Sequence, residues 1–252
     1  MNLFYSSEIN VQAVHFTLPE EESAHAIRVL RMQKGDKLFL TDGKGMFYEL
    51  EITDPHPKKC KTKIIRSIPS SPTPSFHLTI AIAPTKSIDR FEWFLEKATE
   101  IGCDEIIPIQ CKHSERTVIK TERLNKVLVS AMKQCLKSRL PKLHELTEFR
   151  KFASSPAPLL KEGEGARRFI GHIPELDETE FPPKNPQGRS LQSMYKKGEN
   201  VLIAIGPEGG FSEDEVSFAV QNGFAMISLG NSRLRVETAG VMACSIINSM
   251  NA

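Results

Sequence analysis

Residues 205–216, IGPEGGFSEDEV, join a glycine-rich loop to a strongly specified helix start. The apolar run at 201–204 comes directly before them and is typical of a buried strand. Ser212 and Glu215 have the spacing of a capping box, in which each side chain bonds the other residue's backbone N–H group. The capping box explains the helix start without a ligand, but it does not explain the glycines at 206–210.

The loop at 206–210, GPEGG, has the composition of a backbone that a ligand can approach closely, because its glycines carry no side chains. A phosphate is disfavoured there. The loop matches neither a P-loop nor a dinucleotide fingerprint, and four carboxylates (Glu208, Glu213, Asp214 and Glu215) surround the positive end of the helix. A neutral or cationic adenosyl ligand fits better, and S-adenosylmethionine is the common cofactor of that kind. A plain turn between strand and helix stays the alternative.

A second loop also lies between a predicted strand and a predicted helix. The strand-like run AMISLG at 225–230 leads into NSRLRVETAG at 231–240 and then into a final apolar helix. Ligands of parallel α/β sheets gather where strands end and helices begin. We therefore expect the two loops to lie at one edge of a sheet.

Charge is segregated along the chain, although the formal net charge is only +2. Between residues 112 and 142 there are nine basic residues against Glu115 and Glu122, a local balance of 9 − 2 = +7. Such an excess favours a polyanion such as nucleic acid as partner, with a solvated helix face as the alternative. The basic residues are Lys112, Arg116, Lys120, Arg123, Lys126, Lys133, Lys137, Arg139 and Lys142.

Composition excludes several classes of protein. With 40% apolar and 25% charged residues, the chain of 252 residues is expected to fold into one large or two modest cores. Its start resembles no secretory signal, and no apolar run reaches the roughly 20 residues that span a bilayer, so we expect a soluble, cytoplasmic protein. Its five scattered cysteines contain no C-x-x-C pair. Cys111 with His113 is weak support for a metal, and we expect none.

The first seventy residues carry strand-like pieces at 15–19, 36–43, 45–54 and 61–68, with a hairpin turn at 42–45. A helix over 20–35 interrupts them, and Gly35 is its candidate C-cap. The segment 67–75, SIPSSPTPS, has the composition of an extended linker. We therefore predict a small β-barrel-like domain over 1–70 and a second domain over 71–252.

The second domain alternates strands and helices, a pattern that predicts a parallel sheet with helices on both faces. Strands are expected within 76–83, 105–109, 167–173, 201–205 and 225–230. Helices are expected over 90–102, ended by Gly102, over 123–141, stopped at Pro141, and after each of the two loops above. The proline-rich stretch 154–200 is expected to be mostly a long excursion.

The two loops together, IGPEGGFSEDEV and LGNSRLRVETAG, resemble the paired signature loops of the RsmE family, which are SPOUT-class methyltransferases of small-subunit ribosomal RNA. HAIRVLRMQKGD and TDGKG resemble that family's N-terminal PUA-like RNA-binding domain. Residues 86–118 resemble its first strand–helix–strand stretch, and KQCLKSRLPKL fits the helix that follows. Ser232 and Arg233 depart from the family's usual Arg-Ile before Leu234 and Arg235.

The resemblance implies an α/β domain with a deep trefoil knot behind the PUA-like domain, and a homodimer. It also implies that S-adenosylmethionine is the cofactor and that the partner is 16S ribosomal RNA in the small subunit, modified at N3 of a uridine. By matching position, the cofactor would be held by Pro84, Ile205, Gly206, Pro207, Glu208, Gly209, Gly210, Leu229, Gly230, Leu234, Thr238 and Ala239.

Two residues of the last loop carry the implied chemistry. Arg235 would stabilise negative charge on the uracil carbonyl oxygens. Glu237 would act as a base or orienting group, with a helix first-turn carboxylate as the alternative. Contacts to RNA phosphates are expected from Arg28, Arg31, Lys34, Lys86, Arg116, Arg123 and Lys133. For Arg28 and Arg31, complementing the helix dipole is the alternative role. A non-catalytic RNA-binding or ribosome-assembly protein and an unrelated nucleotide enzyme stay open as alternative functions.

Overall fold

The computed structural model describes residues 2–70, 75–155, 166–172 and 189–252. The chain forms two compact units, one from residues 1–73 with 128–140 and the other from residues 74–127 with 141–252. The predicted linker at 67–75 includes residues 71–74, which lie outside the described ranges, so that boundary stays a prediction.

The first unit is built on a five-stranded sheet in the order β1-β3-β4-β5-β2. Its β1–β3 pair is parallel and its other pairs are antiparallel. Four strands lie where the apolar pattern predicts them, whereas β1 was missed because three residues are too short to show a period. The strands are β1 (Leu3–Tyr5), β2 (His15–Thr17), β3 (Lys37–Thr41), β4 (Met46–Asp54) and β5 (Lys61–Pro69).

The helix of the first unit ends earlier than the sequence predicts. Helix α1 (Glu20–Ala24) continues as a π-helical turn at His25–Val29, and Arg31 then takes a left-handed conformation with φ 56°. The predicted C-cap at Gly35 is wrong, because the Gly35 N–H donates to the carbonyl of Ile52 in β4. Arg31 therefore occupies the left-handed position after the helix end, which usually holds glycine.

The first unit also includes residues 128–140 from the middle of the chain. Lys133 Nζ lies 2.6 Å from Glu22 Oε1, and both side chains are largely buried. The Ser138 carbonyl accepts from the Gly45 N–H at 2.9 Å and from Thr41 Oγ1 at 3.2 Å. The predicted hairpin turn at 42–45 is thus held by a segment almost a hundred residues away.

The second unit is built on a parallel sheet in the order β12-β10-β11-β6-β7-β8, with β9 pairing to β7. All its strand pairs are parallel, as the apolar runs predict. The strands are β6 (Leu78–Ile82), β7 (Glu105–Gln110), β8 (Lys142–Leu143), β9 (Thr147–Glu148), β10 (Arg167–Gly171), β11 (Val201–Ile205) and β12 (Phe224–Ile227).

Helices α4 and α6 pack together, and α7 packs against α2, α5, β6 and β11. The helices are α2 (Ile88–Ile101), α3 (Thr121–Gln134), α4 (Phe149–Ser154), α5 (Leu191–Met194), α6 (Glu213–Gln221) and α7 (Val236–Asn251). Gly102, with φ 120°, ends α2 as predicted. Among the described residues no helix combines the length and apolarity that crossing a membrane requires.

The predicted end of helix α3 is wrong, and part of the predicted excursion at 154–200 lies outside the described residues. Helix α3 ends at Gln134 and not at Pro141, since Leu136 takes a left-handed φ of 54°. Of the proline-rich stretch 154–200, residues 156–165 and 173–188 lie outside the described ranges. The rest includes β10, the strand predicted at 167–173, and the short helix α5.

An acidic side chain between two histidines lies where β6 and β7 begin, at the amino end of the parallel sheet. Glu105 Oε2 lies 2.7 Å from His144 Nε2, and Oε1 lies 3.4 Å from His77 Nε2, a charge contact longer than a well-formed hydrogen bond. Burial opposes ionisation of Glu105, but the two imidazoles outweigh it and lower the pKa of Glu105. The Glu105 carboxylate, against the effect of burial and with help from Asp104, raises the pKa of His77.

Stability should therefore depend on pH through His77. A raised pKa means that the contribution of His77 is complete below its ordinary pKa of about 6.5 and is lost as pH rises through the folded-state value. We expect the thermal midpoint of the wild type to exceed that of His77→Gln by more at pH 6 than at pH 8.5. The measurement is thermal unfolding of both proteins across this range, and a difference that is constant or grows with pH would contradict the assignment.

Candidate functional site

The predicted site loops all leave the same edge of the parallel sheet. Pro84 follows β6, the glycine loop 206–210 follows β11, and residues 228–235 follow β12. Strands β6 and β11 are neighbours, and the Ala83 N–H donates to the Ile205 carbonyl at 3.0 Å. The strand order thus brings the first two loops together at the edge where ligands of α/β sheets bind.

The exposed groups of the glycine loop are its backbone and the carboxylate of Glu208. Pro207 is buried, whereas Glu208, Gly209 and Gly210 are exposed. Gly210 has φ 73°, a conformation that favours glycine. Glu208 Oε1 accepts from the Lys86 N–H at 2.9 Å, so the acid of one loop is bonded to the backbone of the other.

The capping box of α6 is confirmed, and its acidic residues disfavour a phosphate. Glu215 Oε2 accepts from the Ser212 N–H at 2.9 Å, and Ser212 Oγ accepts from the Glu215 N–H at 3.4 Å. Glu215 Oε1 also accepts from the Lys112 N–H at 2.8 Å. Because acidic side chains already surround this helix end, the residues suit a cationic adenosyl ligand such as S-adenosylmethionine better than a phosphate.

A cavity of about 600 Å³ lies between the start of α2 and the start of α7. This volume is within the range of small-molecule sites, roughly 300–1,000 Å³. The last loop contributes both predicted catalytic residues to it. The cavity is lined by Asp89, Arg90, Trp93, Arg233, Leu234, Arg235, Glu237 and Thr238.

The catalytic candidates differ in exposure. Arg235 is exposed and is the N-cap residue of α7, and its carbonyl accepts from the Ala239 N–H at 2.8 Å. Glu237 is buried in the first turn of α7, with Oε1 4.0 Å from Arg90 Nε. An exposed guanidinium and a buried carboxylate that line the same cavity are suited to holding a polar planar group.

Three cavity residues on α2, Asp89, Arg90 and Trp93, were not predicted. They lie in the first two turns of α2, directly after the β6 loop. Their position just after a strand end was the available signal, because that edge of a parallel sheet is the ligand edge.

Close packing fixes the start of α7 beside α2. Gly240, in the second turn of α7, faces the fully buried side chains of Phe94 and Ile82. A Cβ atom at Gly240 would lie 2.5 Å from Phe94 Cε2 and 2.9 Å from Ile82 Cδ1. The absence of a side chain at 240 therefore sets the distance between the two helices that line the cavity.

The predicted RNA-contacting cations fall into two groups. Arg28, Arg31 and Lys34 are exposed on the first unit. The other four have intramolecular partners: Lys86 with Glu115, Arg116 with the carbonyls of Thr85 and Lys86, Arg123 with Glu92, and Lys133 with Glu22. The acidic partners of Lys86, Arg123 and Lys133 are up to 111 residues away in sequence.

Cys111 packs in the apolar core of the second unit, and His113 lies beside the glycine loop. Cys111 is buried, and burial raises the pKa of its thiol, so the thiolate that binds metals is disfavoured. His113 Nδ1 lies 3.2 Å from the Gly209 carbonyl. Within the described ranges, no group of three or more His, Cys, Asp or Glu side chains could hold a metal ion.

Two family models match the chain. A model described as an RNA methyltransferase domain matches residues 71–248, and one described as an RNA methyltransferase PUA domain matches residues 18–65. The second match confirms the predicted small PUA-like domain at the N-terminus.

Curated relatives named ribosomal RNA small subunit methyltransferase E resemble the chain over most of its length. The Bacillus subtilis protein is 25% identical over 94% of this chain and 91% of its own length. The Aquifex aeolicus protein is 26% identical over 98% of this chain and 99% of its own length.

Solved structures extend the likeness to three dimensions. A "probable rRNA-methyltransferase" from Porphyromonas gingivalis is 41% identical, with a TM-score of 0.85 over 100% of this chain and 98% of that one. Ribosomal RNA small subunit methyltransferase E from Neisseria gonorrhoeae, solved with bound S-adenosyl methionine, is 22% identical, with a TM-score of 0.77 over 100% of this chain and 98% of that one. At 22% identity the second likeness bears on the fold alone.

Proposed function

The chain belongs to the RNA methyltransferase family that includes ribosomal RNA small subunit methyltransferase E, the RsmE family, and we propose that it methylates N3 of one uridine in 16S ribosomal RNA. The observation that carries this proposal is the cavity of about 600 Å³ in which Arg235 and Glu237 lie together. The substrate would be the small ribosomal subunit, which is cytoplasmic, and S-adenosylmethionine would be the methyl donor.

S-adenosylmethionine would lie at the carboxyl edge of the parallel sheet. Pro84, the residues from Ile205 to Gly210, and Leu229, Gly230, Leu234, Thr238 and Ala239 would hold it. Support comes from the exposed backbone of the glycine loop and from the carboxylate of Glu208, which would attract a positive charge. When bound, the cofactor supplies an electrophilic methyl group.

The chemistry requires an unpaired uracil whose N3 proton leaves before or during methyl transfer. N3 lies on the Watson–Crick edge, so the base must first leave any helix. Negative charge then develops on the flanking carbonyl oxygens, and the guanidinium of Arg235 would donate hydrogen bonds to them. Holding N3 in line with the methyl group makes the step effectively unimolecular.

Glu237 would either accept the N3 proton or orient Arg90, and one substitution separates the two roles. Glu237→Gln keeps the size of the side chain but cannot accept a proton at neutral pH. If Glu237 is the base, turnover should fall by about 10²-fold or more, since positioned proton transfer contributes roughly 10²–10⁴-fold. Single-turnover methylation by the two proteins measures this, and near-normal turnover in Glu237→Gln would eliminate the base role.

RNA phosphates would contact Arg28, Arg31 and Lys34 on the first unit. All three are exposed, and within the described residues none forms an ion pair with a carboxylate. Phosphate contacts release counterions, so RNA affinity should fall steeply with salt, and a flat dependence would contradict the assignment. Lys86, Arg123 and Lys133 remain predictions as RNA contacts, whereas the guanidinium of Arg116 is bonded to the carbonyls of Thr85 and Lys86.

Replacing Arg31 with glycine should stabilise the fold and weaken RNA binding. Its φ of 56° is costly for any residue with a side chain, so Arg31→Gly should raise the free energy of unfolding by about 0.5–1 kcal/mol. The same change should weaken RNA binding and reduce the slope of log affinity against log salt by about 1. Denaturant unfolding and RNA titrations measure the two effects.

The matched control is Arg31→Ala, which removes the guanidinium but keeps the strained backbone. It should weaken RNA binding as much as Arg31→Gly does, without the gain in stability. RNA affinity that is unchanged in both variants would remove Arg31 from the proposed contacts.

We also propose that the second unit contains a trefoil knot and that two copies form a homodimer, with RNA reached across the subunit interface. The basis is the family to which the chain belongs. Equilibrium sedimentation tests the dimer, for which the mass of two chains is expected. The mass of one chain at micromolar concentration would count against it.

Ligand binding tests the proposed function against its alternatives. Calorimetry of the full chain with S-adenosylmethionine, ATP and NAD should show tight binding of the first alone. A non-catalytic RNA-binding protein should bind none of the three tightly, and a nucleotide enzyme should prefer a phosphate-containing ligand. Either of these outcomes would overturn the proposal.

A further inference from the structure

We propose that Arg116 is a positioning residue of the cofactor site, which ties the loop after β6 to the glycine loop after β11. The inference rests on the proposed function, because that function assigns the cofactor to these two loops. It gives Arg116 a role distinct from RNA binding.

The guanidinium of Arg116 bonds two consecutive carbonyls directly after Pro84. Arg116 Nε donates to the Thr85 carbonyl at 2.9 Å, and a terminal nitrogen donates to the Lys86 carbonyl at 2.6 Å. Thr85 is almost completely buried, at 1% exposure, so its carbonyl has little access to water. Two donors in a rigid fork fix both the position and the direction of this backbone.

The backbone held by Arg116 is itself bonded to the glycine loop. The Lys86 N–H donates to Glu208 Oε1 at 2.9 Å, and Lys86 Nζ lies 2.7 Å from Glu115 Oε2. Arg116 and Glu115 therefore hold residue 86 by its carbonyl and by its side chain, while its N–H orients the one carboxylate of the glycine loop.

The same segment reaches the glycine loop directly. His113 Nδ1–H donates to the carbonyls of Gly209 at 3.2 Å and Gly210 at 3.3 Å. A Cβ atom at Gly209 would lie 3.0 Å from His113 Cβ, so the backbone and the histidine are in close contact. Residues 111–116 thus contact both loops of the proposed cofactor site.

Arg116 cannot make these bonds and also offer the same N–H groups to a phosphate. Its loss should therefore weaken S-adenosylmethionine binding and leave RNA affinity unaffected. Lysine should restore the binding only in part, because an ammonium group lacks the planar fork that matches two carbonyls.

The test compares the full-length wild type with Arg116→Ala and Arg116→Lys. Calorimetry gives the dissociation constant for S-adenosylmethionine, and titration with a 16S ribosomal RNA fragment gives RNA affinity at fixed salt. We expect cofactor binding to weaken by about 10- to 100-fold in Arg116→Ala and by less in Arg116→Lys, because each charge-assisted hydrogen bond contributes roughly a factor of ten. RNA affinity should change less than twofold.

Arg167→Ala is the matched control. Arg167 is an exposed arginine at the start of β10 that donates to the Met194 carbonyl, away from both loops. Its removal should leave cofactor affinity unchanged. Thermal midpoints of all variants are measured alongside, and if Arg116→Ala does not fold, Arg116→Lys carries the test with the same expectation of weaker cofactor binding.

The outcomes separate the inference from the function on which it rests. A wild type that binds no S-adenosylmethionine would overturn the proposed function. A wild type that binds it, with Arg116 variants of equal cofactor affinity, would overturn only the inference. Weaker RNA binding with unchanged cofactor affinity would also overturn it, because Arg116 would then be a phosphate contact.

Discussion

Arg235→Ala is expected to slow methyl transfer by about 10²–10³-fold, the effect typical of removing one donor that stabilises a developing oxyanion. Cofactor affinity should change by less than about threefold, because the backbone of residue 235 and not its guanidinium supports the start of α7. Single-turnover methylation and calorimetry with S-adenosylmethionine measure the two quantities separately.

Two further variants sharpen this result. Arg235→Lys keeps the charge but loses the planar fork, so it should recover only part of the rate. Arg150→Ala removes an exposed guanidinium that lies over the Phe218 ring and outside the cavity, and it should leave the rate unchanged. Equal losses of turnover and cofactor affinity in Arg235→Ala would show that Arg235 belongs to cofactor binding.

Gly240→Ala is expected to lower the free energy of unfolding by about 1–3 kcal/mol, as overpacking of a buried contact does. An added Cβ atom would meet Phe94 at 2.5 Å and 2.7 Å, and this ring is fully buried. Elsewhere in a helix the same substitution usually adds about 0.5–1 kcal/mol of stability. A loss of stability would therefore indicate overpacking at Gly240, whereas a gain would indicate the usual helix propensity of alanine. Chemical denaturation measures the free energy of unfolding of both proteins.

Methylation should fall with stability in Gly240→Ala, because α2 and α7 carry residues that line the cavity. Adding Phe94→Leu makes room for the new methyl group and should recover part of the stability. Ser249→Ala, on the exposed side of α7, should have little effect. A Gly240→Ala protein as stable as the wild type would contradict the close packing of α2 on α7.

Local sequence features predicted the elements that surround the site. The capping box at Ser212 and Glu215 and the glycine ends of β11 and α2 depend on residues a few positions apart, so the sequence contains their full description. The apolar strands of the parallel sheet were predicted for the same reason. Their order in the sheet was not, since it depends on contacts between distant residues.

The features of the site that the sequence could not predict depend on contacts between distant segments of the chain. Trp93 and Arg90 enter the cavity because α2 packs against α7, almost 150 residues later. Lys133 pairs with Glu22, and Arg31 takes a left-handed conformation in place of the expected Gly35. Net charge along the sequence could not show which cations are paired, because the neutralising acids come from distant segments.

The most direct test of the proposed activity is methyl transfer from labelled S-adenosylmethionine to purified small ribosomal subunits and to naked 16S ribosomal RNA, with the modified atom mapped. We predict label on N3 of a single uridine when the wild type acts on small subunits, and loss of that label with Arg235→Ala. Label on another atom or another base, or no label from a wild type that binds the cofactor, would contradict it.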